Sequence, residues 1–100
     1  MKIDTISAVE LDLYINKKDI IIVDVRNEKE YKEKHICGAI NFPLEFIEQF
    51  YGAKEALIIL YCERGAASLI AASKLQRKGY NVKSVVGGIS SYKGRFLCKD

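Results

Sequence analysis

The sequence predicts an α/β fold built on a mainly parallel sheet, and three observations carry that prediction. First, Ile20-Ile21-Ile22-Val23 and Ala56-Leu57-Ile58-Ile59-Leu60-Tyr61 are continuous apolar runs, as expected of strands buried on both faces. Second, these runs and a third candidate strand at 82–86 are separated by stretches with helical start and stop signals. Third, 100 residues that are 49% hydrophobic suit one ordinary domain with a real core, so residues 1–100 read as a single domain. Buried strands that alternate with helices pair in parallel through right-handed crossovers.

Each element follows from local chemistry. Ser7-Ala8-Val9-Glu10 is a capping box, and Leu11, Tyr14 and Ile15 fall at helical spacing behind it. After the strand at 20–23, Asn27-Glu28-Lys29-Glu30 opens a short charged helix that ends near Lys34. Cys37-Gly38-Ala39-Ile40-Asn41 reads as a brief strand punctuated by Pro43. Leu44, Phe46, Ile47 and Phe50 suggest another short helix, closed by Gly52. The strand at 56–61 runs straight into Cys62-Glu63-Arg64-Gly65. An alanine- and leucine-rich helix then extends to Lys78, with Lys74, Arg77 and Lys78 at its carbonyl end and Gly79 as its stop. Strand 82–86 leads to Gly87-Gly88 and a last short amphipathic segment.

Composition excludes several classes of function. Sixteen basic and thirteen acidic residues give +3, but the signs are interspersed, and the only basic cluster is Lys74, Arg77, Lys78. A nucleic-acid binder gathers its charge into one patch, so no nucleic-acid partner is expected. A mild positive balance suits a small anionic substrate. The longest apolar run, 56–61, is far short of the roughly 20 residues that span a membrane. Met1-Lys2-Ile3-Asp4 lacks the apolar core of a signal peptide, and three cysteines are an odd number. Both point to a cytoplasmic, reducing environment with free thiols. With no Cys-x-x-Cys and a lone histidine, His35, a metal site is not expected. Any cysteine chemistry must then use a single thiol.

Cys62 is the thiol in the right place. Ligands of open parallel sheets bind beyond the carboxyl ends of the strands, and Cys62 lies directly between a buried strand and a helix. Unpaired N–H groups and the partial positive charge at the helix start favour a thiolate there. Gly65 lets the backbone turn successive N–H groups inward, while Ala66, Ala67 and Ser68 are small enough to leave the cup open.

A spaced set of motifs now resembles a known family. Asp24-Val25-Arg26, Glu30-Tyr31, His35-Ile36-x-Gly38-Ala39-Ile40-Asn41-x-Pro43, Cys62-x-x-Gly65-x-x-Ser68, Gly79-Tyr80 and Gly87-Gly88 occur in the order seen in single-domain rhodaneses. The resemblance runs from about Ile20 to Tyr92. It implies a rhodanese-like, mainly parallel five-stranded sheet with helices on both faces. It implies a sulfurtransferase in which Cys62 takes a sulfane sulfur from thiosulfate, a persulfide or a polysulfide and passes it to cyanide or a thiol. Such transfer through one cysteine is ping-pong chemistry and requires no metal or organic cofactor. A protein sulfur-relay partner is also compatible with the family.

The resemblance implies roles for further residues. Glu63, Arg64, Gly65, Ala66, Ala67 and Ser68, with Arg26, line the substrate cup. Asp24, Arg26 and Glu30 brace it, Arg26 either pairing with Glu30 or facing the pocket mouth. His35 is structural, since a thiolate needs no general base, and Cys37 and Cys98 are incidental. Two positions depart from the family pattern: Ala67 stands where an arginine is common, and Tyr92 where a tryptophan is frequent. Glu63 beside Arg64 then leaves the loop with little net charge, which argues against efficient use of dianionic thiosulfate. A phosphatase needs an arginine six positions past the cysteine to bind a tetrahedral oxyanion, and that position is Ser68. The non-enzymatic alternative is a relay or regulatory binding module with little turnover on small donors.

Overall fold

The computed structural model describes residues 2–100. Along the chain come β1 (Thr5–Ile6), a 3-10 turn (Glu10–Leu13), β2 (Ile20–Asp24), α1 (Glu28–Glu33), β3 (His35–Ile36) and β4 (Ile40–Asn41). A 3-10 segment (Leu44–Gln49), β5 (Leu57–Tyr61), α2 (Ala66–Arg77), β6 (Asn81–Val85), a 3-10 turn (Ile89–Ser91) and β7 (Leu97–Cys98) follow. Five strands form one sheet in the order β1-β6-β5-β2-β4, parallel throughout. β3 and β7 form a separate antiparallel pair.

The strands read as continuous apolar runs because both faces of the sheet are covered. Side chains alternate along each strand, so the two faces carry different residues. On one face Ile59, Tyr61, Ile22 and Val85 pack with Leu11, Ile15, Ile36 and Tyr92. On the other Ile58, Leu60, Val23 and Val82 pack with Ala71, Ala72 and Leu75 of α2, and with Ile47, Phe50 and Tyr80. Cys62 continues the Ile58, Leu60 alternation, so it emerges on the α2 face at the carboxyl end of β5.

Several sequence expectations change in detail. The capping box forms, with Ser7 N–H donating to Glu10 Oε1 at 2.8 Å and Glu10 N–H to Ser7 Oγ at 3.1 Å. It opens only a 3-10 turn rather than an α-helix, and Asn16 and Asp19 follow with left-handed backbone (φ 62° and 64°) that ends helical geometry before β2. The strand expected at 37–41 is confined to Ile40–Asn41, because Gly38 at φ 87° turns the chain first. α1 starts as expected: Asn27 caps it, its side chain accepting from Glu30 N–H at 2.8 Å. α2 also stops at Gly79, whose φ of 96° permits the N–H groups of Gly79 and Tyr80 to reach the carbonyls of Gln76 and Leu75.

The expectation of three free thiols is overturned. Cys37 and Cys98, 61 residues apart, are joined by a disulfide with a Cα–Cα distance of 5.1 Å. The β3–β7 pairing places them together, and an odd cysteine count is equally consistent with one pair and one free thiol. Cys62 is the free cysteine among the described residues. Among those residues no helix is long and apolar enough to cross a membrane.

Candidate active site

The loop between β5 and α2 wraps around the Cys62 sulfur. Gly65 N–H points at Sγ from 3.0 Å and Ser68 N–H from 3.3 Å. Gly65 achieves this at φ 114°, and a Cβ there would press on Gly87 N at 3.3 Å. The Cys62 thiol lies 3.6 Å from Ser68 Oγ. Ser68 Oγ in turn donates to Gly65 C=O at 3.2 Å, leaving Ser84 Oγ, 2.8 Å away, as the donor to it. Ser68 and Ser84 are both buried, and the network satisfies both hydroxyls beneath the sulfur. Two backbone donors and the start of α2 thus face the Cys62 sulfur.

The back of the loop is held by the chain after β6. Ile89 N–H donates to Cys62 C=O at 2.9 Å and Ser90 N–H to Glu63 C=O at 3.0 Å. That approach requires glycine at 88, because a Cβ there would lie 2.3 Å from Cys62 O and 2.5 Å from Glu63 O. These two bonds pin the first turn of the loop from behind, while Gly65 and Ser68 N–H face the sulfur from the other side.

Arg26 forms the opposite wall. Its Nε and Nη2 donate to the Asp24 carboxylate at 2.8–3.2 Å, and its backbone N–H adds a bond of 2.8 Å to Asp24 Oδ1. Nη2 also donates to Lys34 C=O, and Nη1 to Glu63 Oε1 at 3.1 Å. Asn41 Nδ2 secures the strand end by donating to the carbonyls of Asp24 and Arg26. Burial opposes the Arg26 charge, but the bonds and attraction of Asp24, aided by Glu63, outweigh it and raise the guanidinium pKa. Glu63 is further held by Ser90 Oγ at 2.8 Å. This bond, together with Arg26, lowers the Glu63 pKa below its ordinary value.

A groove of about 360 Å³ opens over the sulfur, lined by Val25, Arg26, Glu30, Cys62, Glu63, Arg64, Ala66 and Ala67. The sequence-derived set therefore assembles, with Gly65 and Ser68 as the floor and Asp24 behind Arg26. Arg26, expected either to pair with Glu30 or to face the pocket mouth, lines the groove and binds Asp24 and Glu63, with Glu30 along the same groove. Glu63, expected to offset its neighbour Arg64, pairs with Arg26 instead. Among the described residues Arg64 is exposed and enters no ion pair. His35 lies outside the groove, buried and stacked on Tyr31 with ring centroids 3.9 Å apart, its Nδ1 2.7 Å from Tyr31 O. Sequence reasoning missed Ser84 and Ser90, which carry no motif of their own and reach the site only through the register of β6 and the turn after it.

Fold and site together define an α/β protein with a cysteine cupped by backbone donors where a central strand meets its helix. A family model for the rhodanese-like domain matches residues 7–95, and the chain belongs to that family. Thiosulfate sulfurtransferase GlpE from Coxiella burnetii is 31% identical over 98 residues, covering 95% of this chain and 92% of that protein. A tRNA sulfurtransferase from Desulfurococcus amylolyticus is 36% identical over 75 residues, which are 75% of this chain and 15% of that protein. Among solved structures, a rhodanese-related protein from Thermoplasma volcanium superposes with a TM-score of 0.87 at 26% identity, covering 97% of this chain and 99% of that one.

Proposed function

We propose that this protein, acting as one domain, is a sulfurtransferase that carries sulfane sulfur as a persulfide on Cys62. The observation that supports the reading most is the Cys62 sulfur facing two backbone N–H groups at 3.0 and 3.3 Å, beneath an open groove. In the first step the Cys62 thiolate attacks the outer sulfur of thiosulfate, one S–S bond forms, the other breaks, and sulfite leaves. A persulfide or polysulfide donor reacts in the same way and releases a thiolate or a shortened chain. In the second step cyanide or a thiolate attacks the terminal sulfur and the Cys62 thiolate departs. The N–H groups stabilise the anion at both ends of this cycle without titrating.

Arg64 supplies the cup's free cation and draws in an anionic donor, while Arg26, saturated by Asp24, Glu63 and Lys34 C=O, shapes the wall. Thiosulfate or polysulfide incubation followed by intact-mass measurement tests the reading. Wild-type protein should gain one sulfur atom, and Cys62→Ser none. Cyanide should then remove the sulfur as thiocyanate. Folded wild-type protein that gains no sulfur from any donor would overturn the proposal in favour of a binding module.

A further inference from the structure

The disulfide lies outside the chemistry just described, yet it is linked to the site by a short chain of contacts. Cys98 sits in an exposed tail whose attachment is slight. β3 and β7 pair over two residues each, His35 with Cys98 and Ile36 with Leu97. Beyond these, Cys37 N–H donates to Phe96 C=O at 2.8 Å and Asp100 N–H to Lys32 C=O at 3.0 Å. A two-stranded ribbon this short is not stable by itself in water. Leu97 and Cys98 are both exposed, so beyond Phe96, which packs against the core and donates its N–H to Tyr92 Oη at 3.1 Å, little burial holds the tail and the covalent bond is a principal tether.

The strand beneath the tail supports the active site. Ile36 N–H donates to the Tyr61 hydroxyl at 3.0 Å, and Tyr61 directly precedes Cys62. Lys34 C=O, adjoining β3, accepts from Arg26 Nη2, and Arg26 Nη1 holds Glu63 in the cysteine loop. Tail, β3, Arg26 and Tyr61, and the loop are thus successive links. Access to the bond is open on one side. Glu33, Lys34, Leu97, Cys98 and Lys99 line a shallow groove of about 280 Å³, where two lysines against one glutamate favour an approaching thiolate.

We propose that Cys37–Cys98 is a second reactive sulfur site, a thiol–disulfide exchange site for a dithiol reductant, and that its redox state sets the rigidity of the Cys62 cup. A thiolate of the dithiol attacks Cys98 Sγ, forming a mixed disulfide and releasing Cys37 as thiolate. The second thiol of the reductant displaces Cys98, and the reductant departs as a disulfide. Two electrons and two protons pass to the Cys37–Cys98 pair. Reduction frees the tail and loosens β3, and with it the anchors on Arg26 and Tyr61. The inference rests on the sulfurtransferase reading only for its activity readout.

Dithiothreitol serves as the probe, removed by desalting before any sulfur donor is added, and Cys37→Ser/Cys98→Ser supplies a permanently reduced form that needs no reductant. Hydrogen exchange at the Ile36 and Cys37 amides should rise about tenfold or more on reduction, as expected when a local attachment opens. The rate of Cys62 alkylation by iodoacetamide should change in the same protein, because the loop that covers the sulfur relaxes. Sulfur-transfer kcat/KM should fall about five-fold, the effect of one weakened hydrogen bond in the clamp. The double variant should reproduce all three changes. Cys37 and Cys98 both still free as thiols, alongside Cys62, after equilibration in an oxidising glutathione buffer would overturn the proposal, as would exchange and alkylation rates unaffected by redox state. If neither form loads sulfur, the functional reading fails, while exchange and alkylation still decide the redox site.

Discussion

Glu63 shows how one side chain joins two walls of the cup. One oxygen accepts from Arg26 and the other from Ser90, which ties the cysteine loop to the end of β2 and to the turn after β6. Its lowered pKa means that this link is complete above the ordinary glutamate value of 4.5 and is lost as pH falls through the lower folded value. The side chain is 47% exposed, so solvent screening limits the effect to about 1 kcal/mol or less. Glu63→Gln should therefore melt slightly below wild type at neutral pH, and a thermal-melt series should show the two converging once the pH is well below 4.5. The amide oxygen that replaces the carboxylate can still accept from Arg26 Nη1, so the same substitution removes a repulsive charge without opening the clamp and should raise kcat/KM for thiosulfate. Ala67→Arg should act in that direction too, by several-fold, since a hydrogen bond to a charged group is worth about 1.5–3 kcal/mol before rim screening. Arg64→Ala should lower it, and added salt should shrink all three effects. Equal responses from a neutral sulfane donor would show that charge does not set donor preference. Arg64 and Ala67 were legible as cup residues from their place after Cys62. The actual partner of Glu63 was not, because pairing across 37 residues depends on where β2 and β5 end relative to one another.

At the scale of elements, the Cys62 loop is a strand–helix junction gripped from behind by a glycine turn. Gly88→Ala should disrupt it, since the new methyl would meet two carbonyl oxygens at 2.3 and 2.5 Å and a φ of 59° would add strain. Loss of Cys62 sulfur loading, together with a stability loss of roughly 1–3 kcal/mol in denaturant titration, is the expected outcome. Undiminished loading would mean that the loop does not depend on its contact with Ile89 and Ser90. The elements around this junction were the most readable in the sequence. β2 and β5 are unbroken apolar runs, and α2 has both its glycine stop and its cationic end. β1 was not readable: two residues carry no periodicity, and Thr5–Ile6 becomes a strand only because β6 offers it an open edge. β3 and β7 were hidden for a similar reason, each too short to announce itself and each defined by the other across about sixty positions.

For the whole molecule, the disulfide that joins positions 37 and 98 closes well over half of the 100-residue chain into a loop. Constraint of an unfolded loop with a separation of 61 residues is worth about 4 kcal/mol in the chain-entropy account. Cys37→Ser/Cys98→Ser should accordingly lower Tm by roughly 15 °C or more, measured calorimetrically without reductant. A shift of a degree or two would indicate that the tail contributes to local order alone. The backbone donors around Cys62 have a different molecular consequence. Gly65 and Ser68 contact the sulfur through peptide N–H groups, so these bonds depend on the path of the backbone rather than on the identity of the groove side chains. Glu63, Arg64, Ala66 and Ala67 line the groove, whereas the bonds to Sγ come from Gly65 and Ser68. Under the proposed function, chemistry is thereby stored in the path of the chain and preference in its decoration, which would leave the rim free to be rewritten for a new sulfur donor without rebuilding the centre.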